Sequence, residues 1–179
     1  MILLLFLFLF FLIIMKKLIL HPFEKISFHI DFLFGRGISS LLPRDLCVEY
    51  SRKTGRIKNF SIDEKLIGTF RTDGGIALTI YGAQYFLKNT NFLSNCIIPI
   101  EDAIPFVMEG RSLFIRHVYK CGPNIKCGSD VVIIDNQNNV IAVGHSLFSY
   151  QYYSNLGYDR SFLRGVGVKI REGIKSRST

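Results

Sequence analysis

The chain lacks most of what an enzyme or a metalloprotein carries in its sequence. Its four cysteines, Cys47, Cys96, Cys121 and Cys127, include no Cys-x-x-Cys pair. No two of its four histidines stand at metal-ligand spacing, so a structural zinc site has no ligand set. Neither a nucleophile–base pair nor a cofactor-binding loop is recognisable, and the chain is expected to be non-catalytic and to need no cofactor. Tryptophan is absent, and acidic residues are few, 14 against 22 lysines and arginines. Cys121 and Cys127, with five residues between them, leave two readings open: free thiols in a reducing cytosol, or a loop disulfide in an oxidising compartment or a thermophile.

What is present is apolar and basic. Hydrophobic residues make up 49% of the 179 positions and charged residues 20%, enough to build one ordinary domain or two small ones packed together. The aromatic content is 16 Phe and 8 Tyr, residues that suit a pleated surface. The formal net charge of +8 points to a polyanionic partner, either nucleic acid or an anionic membrane surface. The excess is concentrated: Arg160, Arg164, Lys169, Arg171, Lys175 and Arg177 crowd the last twenty residues, with Glu172 opposing them.

Residues 1–15 read MILLLFLFLFFLIIM, followed by Lys16 and Lys17. The run is shorter than the ~20 residues a spanning helix needs. It also has no basic segment before it and no small-residue cleavage site after it, as a secretory signal would. Three readings remain: translation from Met15, a short membrane anchor, or a signal. The first is favoured and makes the chain cytoplasmic, with residues 1–20 outside the folded part. The second would tether it to a membrane.

Beyond this run, Phe23, Ile26, Ile30 and Phe34 form a helical stripe that Gly35 and Gly37 would end. Three short β-prone runs, 48–51, 57–62 and 65–71, are separated by turn residues and predict consecutive hairpins. A fourth strand is expected near 77–80 and a helix over 81–87. The polar segment Lys88-Asn89-Thr90-Asn91 is the best linker signal, dividing the chain into domains at 21–91 and 92–179. In the second, a strand over 96–100 precedes a short helix over 101–108 that Gly110 would cap. One strand is then expected over 112–119, a hairpin over 130–144 and a final strand over 165–171. Phe114 is assigned to the core, and Tyr150, Tyr152 and Tyr153 to a loop that either stacks bases or packs on the barrel. The predicted class is α+β: a small antiparallel sheet-plus-helix domain, then a partly closed β-barrel.

Four motifs in order give a family resemblance. They are Gly110-Arg111-Ser112-Leu113-Phe114, Gly128-Ser129-Asp130-Val131-Val132, Ile141-Ala142-Val143-Gly144, and Gly165-Val166-Gly167-Val168-Lys169-Ile170-Arg171. Over these ~75 residues the chain resembles a PUA domain. The preceding half, FLFGRG and the stretch from Val48 to Leu87, is similar to the segment before the PUA domain in archaeosine tRNA-guanine transglycosylases. The large catalytic barrel of those enzymes has no counterpart here.

The resemblance implies RNA binding through the helix–Gly–Arg loop and the closing strand. The implied contact residues are Gly110, Arg111, Ser112, Arg116, Arg164, Lys169 and Arg171. Glycine admits a phosphate close to the backbone, and arginine offers a bidentate fork. Lys169 and Arg171 share one strand face while Val168 and Ile170 turn inward. Each also has a plainer explanation: Gly110 as a helix cap, Arg111 as a surface partner of Glu109 or Asp102, Lys169 and Arg171 as a solvated face. The implied function is recognition of tRNA at its acceptor end by a non-catalytic subunit that works with a catalytic tRNA-modifying subunit. The alternative is a general PUA-type factor in rRNA processing or translation. Membrane contact enters only if the apolar run is retained.

Overall fold

The computed structural model describes residues 21–156 and 163–176. The apolar run over 1–20 lies outside the described residues, as do Arg160 and Arg177. No helix among the described residues is long and apolar enough to cross a membrane.

The first half opens with α1 (Pro22–Phe34). Proline at the first helical position loses no hydrogen bond, and the His21 side chain accepts from the Phe23 amide. Ile26, Ile30 and Phe34 are buried along one side, as their spacing predicts, whereas Phe28 and Phe32 face solvent. Gly35 ends the helix at φ +115°, and Gly37 follows in the left-handed region at +86°. A four-stranded antiparallel meander comes next: β1 (Cys47–Tyr50), β2 (Ile57–Ile62), β3 (Lys65–Phe70) and β4 (Ile76–Leu78). Helix α2 (Ile80–Phe86) is capped by Thr79, whose hydroxyl accepts from the Gly82 amide at 3.0 Å. Gly82 lies so close to β3 that a Cβ would sit 2.1 Å from the Ile67 carbonyl oxygen.

The second half contains β5 (Cys96–Pro99), α3 (Ile104–Met108), β6 (Leu113–Phe114), β7 (Val118–Cys121), β8 (Asp130–Ile134), β9 (Val140–Ser146), α4 (Tyr150–Asn155) and β10 (Val166–Gly173). Its six strands run in the order β6-β10-β9-β8-β5-β7; only β5–β8 is parallel. The sheet curls into a half-barrel, so the α+β class and the partly closed barrel are as expected.

Two local expectations are corrected. The single strand predicted over 112–119 is broken by a 3-10 turn at Ile115–His117, so that β6 pairs with β10 and β7 with β5. A chain segment that serves both ends of a curled sheet has to turn between them. The tyrosine segment is a helix, α4, with Tyr153 buried and its hydroxyl donating to the Gly167 carbonyl at 2.8 Å. The four cysteines are free thiols.

The apolar run Val131–Ile134 divides its side chains between two cores. Val131 and Ile133 point into the barrel, while Val132 and Ile134 join the cluster built on α1, β2–β4 and α2. Strand β9 does the same, with Val140 and Val143 on the first-half side and Ile141 and Ala142 inside the barrel. A strand stretch buried on both faces reads as a near-continuous apolar run. The two halves therefore pack on opposite faces of β8 and β9, each with its own core. Asn95, 3% exposed, reinforces the junction: its amide donates to the Phe34 carbonyl at 2.7 Å and its oxygen accepts from Asn124 at 2.6 Å. Asn124 in turn donates to Leu33 at 3.1 Å, so barrel-side amides satisfy carbonyls left open at the end of α1.

Candidate nucleic-acid interface

Helix α3 ends in a glycine turn. The Gly110 amide donates to the Val107 carbonyl at 2.9 Å and the Arg111 amide to that of Phe106 at 3.0 Å, with Gly110 at φ +88°. This is the Schellman closure that the left-handed conformation of glycine permits. The end of β10 is pressed against it. A Cβ at Gly173 would lie 2.4 Å from the Met108 carbonyl oxygen and 2.6 Å from the Gly110 nitrogen. The Lys175 amide donates to Met108 at 2.9 Å. The Gly110-Arg111-Ser112 loop and the end of the closing strand are thus one surface element. Lys175 belongs to it, although only the general basic run of the tail pointed to that residue.

Arg111 is exposed. Its guanidinium stands 5.3 Å above the Phe106 ring and 3.3 Å from the Glu109 carboxylate. Both partners of that ion pair are more than half exposed, so the pair contributes about 1 kcal/mol or less and leaves the arginine free to exchange Glu109 for a phosphate. Ser112 is half-buried beside it. Arg116 repeats the motif: it lies 6.0 Å from the Phe114 ring and donates to His117 Nε2 at 3.0 Å. Phe114 is not in the core; it is 44% exposed, and Phe106 is 51% exposed. An exposed ring beneath a guanidinium is a surface on which a nucleobase can stack.

Strand β10 joins these pieces. Leu113 and Phe114 pair with Val168 and Val166, and the Ile115 amide donates to the Gly165 carbonyl at 3.0 Å. Exposed Arg164 therefore lies next to the Ile115–His117 turn, and exposed Lys169 lies near the register of Ser112. Lys169 also pairs across the sheet with His145, and His145 with Asp130. Burial holds the His145 imidazole below its usual range, and the charges of Arg71, Lys169 and Arg171 push it further down against Asp130.

Arg171 is placed differently from Lys169. Its guanidinium donates to the Asp130 carboxylate at 2.9 Å and to the Leu78 carbonyl at 2.6 Å. Arg71 from the first half reaches the other Asp130 oxygen at 3.1 Å. Arg171 therefore latches the closing strand to the first-half sheet; Gly110, Arg111 and Ser112 lie in the α3–β6 loop, Arg116 in the turn after β6, Arg164 just before β10 and Lys169 on it. No group of three His, Cys, Asp or Glu side chains able to hold a metal occurs among the described residues.

Comparison with known proteins follows the same division. Residues 24–92 match the family model of the patch-forming domain C2 of tRNA-guanine transglycosylase, and residues 98–151 match the PUA domain. A tRNA-guanine(15) transglycosylase of Methanothermobacter thermautotrophicus is 29% identical over 152 residues, covering 84% of this chain and 22% of that protein. The enzyme of the same name from Thermococcus onnurineus is 30% identical over 146 residues, covering 81% and 24%. The chain thus spans less than a quarter of the length of the curated relatives it matches. In fold it is similar to a hypothetical protein of Pyrococcus horikoshii, with a TM-score of 0.65 and 18% identity over 87% of this chain and 91% of that one. It is also similar to a PUA-domain protein of Aeropyrum pernix, with a TM-score of 0.63 and 15% identity over 88% and 85%. The chain thus joins a segment that matches the patch-forming C2 domain of tRNA-guanine transglycosylase to a segment that matches the PUA domain.

Proposed function

We propose that this protein binds RNA through the surface made by the α3–β6 loop and β10, and that its RNA is tRNA gripped at the acceptor end. The observation that carries the reading is the junction of the glycine turn at Gly110 with the end of β10. It brings Arg111 and Lys175 to one edge of the sheet, with Lys169 near the register of Ser112, beside the exposed rings of Phe106 and Phe114. Phosphate pairing combined with stacking suits an unpaired RNA end better than a duplex groove. The pairing of a C2 domain with a PUA domain favours tRNA over other structured RNA. The protein contributes recognition to tRNA guanine modification, and the chemistry belongs to a catalytic subunit.

The test is a binding titration of an unmodified tRNA transcript, the same transcript without its unpaired 3′ end, and an unrelated RNA of equal length. In each case log K should fall with log salt by ~0.7–0.9 per neutralised phosphate. Removing the 3′ end should weaken binding, and Arg111→Glu with Lys169→Glu should weaken it at least tenfold. Equal affinity of the double variant would remove the proposed surface.

A further inference from the structure

Where the end of α1, the linker and the β5–β7 edge meet, the two halves leave a cavity of about 580 Å³ between them. That is within the ~300–1,000 Å³ usual for small-molecule sites. Sheet order puts β8 and β9 between this edge and β10, and none of the residues assigned to RNA lines the cavity. Its floor is apolar, and the register shows why. Ile98 pairs with Lys120 across β5–β7, and Ile97 with Ile133 across β5–β8, so Ile98 has Lys120 on one side and Ile134 on the other. Cys96, two residues before Ile98, shares its face. Cys96 and Ile134 belong to the first-half core and Ile98 packs against it; all three line the cavity, where that core reaches the edge of the sheet.

The walls are polar and come from stretches far apart in the chain: Arg36 just after α1, Thr90 and Asn91 in the linker, Lys120 on β7 and Asn138 in the β8–β9 turn. Local contacts hold these stretches in place. The Asn89 side chain accepts from the Asn91 amide at 3.0 Å and donates to the Gly37 carbonyl at 3.2 Å, tying the linker to the end of α1. A Cβ at Gly122 would lie 2.3 Å from the Ser94 carbonyl oxygen, so the end of β7 is pressed onto the linker. Asn138 keeps its turn in the left-handed region at φ +64°. No carboxylate lines the cavity, whereas Arg36 and Lys120 do, one from each half. Among the described residues neither makes an ion pair or a hydrogen bond. The side chains of Thr90, Asn91 and Asn138 likewise have no hydrogen-bond partner among the described residues.

An apolar floor ringed by unengaged polar groups and two cations suits a ligand with a planar apolar body and one anionic group. A phosphate matches the two cations. The carboxamides of Asn91 and Asn138, each with donors and an acceptor, match the edge of a heteroaromatic ring. We propose that this cavity binds a free nucleoside monophosphate. Its phosphate lies at Arg36 and Lys120, its base rests on Cys96, Ile98 and Ile134, and Asn91 and Asn138 meet the base edge. A ligand held by both halves also tightens their junction. The inference goes beyond the RNA-binding reading and shares no residue with the surface that reading uses.

The experiment titrates the full chain with the four nucleoside 5′-monophosphates, the matching nucleosides and inorganic phosphate, read by calorimetry and by backbone amide NMR shifts. At least one monophosphate should bind with a Kd on the order of 0.1–1 mM. It should move the amides of Arg36, Asn91, Lys120 and Asn138 and leave those of Arg111 and Lys169 in place. The nucleoside without its phosphate should bind roughly 10- to 100-fold more weakly, and Arg36→Gln with Lys120→Gln should weaken the monophosphate by a similar factor. Inorganic phosphate, which leaves the apolar floor empty, should bind more weakly still. Asn138→Gly, which keeps the left-handed turn, should narrow the spread of affinity among the bases. No saturable binding of any monophosphate, unchanged affinity in the double variant, or shifts confined to the α3–β6 loop and β10 would each overturn the inference. So would inorganic phosphate binding as tightly as the nucleotide, because the site would then be a bare anion patch. Displacement of the nucleotide by the unmodified tRNA transcript, with the double variant weakening the transcript equally, would assign the cavity to the RNA and overturn the inference too. The RNA-binding reading fails separately: Arg111→Gln with Lys169→Gln would leave transcript binding intact, whatever the nucleotide does.

Discussion

Replacing Asp130 by alanine should unlatch the two halves. Its side chain is 5% exposed, and its two oxygens are bound by Arg171 at 2.9 Å and Arg71 at 3.1 Å, 41 and 59 residues away in the chain. Removing one member of a fully buried pair costs about 3–5 kcal/mol, because the remaining charge is left without a partner. Here the arginine side chains keep 29% and 34% of their exposure, so water screens what is left and the cost falls to about 2–3 kcal/mol. Asp130→Asn, which keeps the volume and one acceptor, should cost about 1–2 kcal/mol. Urea unfolding measures both through the midpoint at constant slope. A double-mutant cycle of Asp130→Ala with Arg171→Met should show a coupling of about 1–2 kcal/mol.

The pH dependence gives an independent check on the same carboxylate. Burial pushes the Asp130 carboxyl above its usual range against the opposing pull of Arg171 and Arg71. A raised native pKa means that the folded chain binds the proton more tightly than the unfolded one. This contribution is fully present below the unfolded value of about 3.9 and is lost as pH rises through the folded pKa. The stability advantage of the wild type over Asp130→Asn should therefore widen on acidification from about pH 7 to about pH 3.5. An Asp130→Ala loss under about 0.5 kcal/mol or additivity in the cycle would refute the account of this latch, and an advantage that narrows in acid would refute the dominance of burial at its carboxyl.

Three further predictions concern the barrel. Gly144→Ala would place a Cβ 2.3 Å from the Lys169 carbonyl oxygen, and backbone cannot yield as a flexible side chain can. It should lower stability by about 2–3 kcal/mol, visible as a lower Tm. Tyr153→Phe removes the donor to the Gly167 carbonyl and the contact with Ser146 Oγ at 3.2 Å, at a cost of about 1–2 kcal/mol in urea unfolding. In the wild type the Tyr153 phenol, pushed up to about 12 by burial, should be absent from the absorbance titration near pH 10. The His145 ring proton should titrate by NMR below the usual imidazole midpoint, and Lys169→Met should raise that midpoint. Because this pKa is depressed, the stabilisation it gives is present above the unfolded value of about 6.5 and is lost as pH falls through the folded one. A midpoint unmoved by Lys169→Met would remove that ammonium from the field at His145.

The sequence by itself determined the elements whose pattern is local. The i, i+4, i+8 series Ile26, Ile30 and Phe34 marks one side of α1, and turn residues delimit β2 and β3 as observed. The ordered glycine and valine motifs marked the PUA domain, because closing a small barrel requires glycines where backbones touch, as at Gly144 and Gly173. Other features depend on partners far along the chain. Nothing in the alternation of β10 distinguishes Lys169 from Arg171; only the packing of β4 beside the barrel gives Arg171 the Leu78 carbonyl as well as the Asp130 carboxylate as partners. Phe114 read as core by its apolarity, yet the 3-10 turn after it puts the ring outside, under Arg116. The apolar run Val131–Ile134 carries no sign in the sequence that one face belongs to the barrel and the other to the first half. Periodicity records whether a side chain leaves water; which surface excludes the water is decided when the two sheets meet.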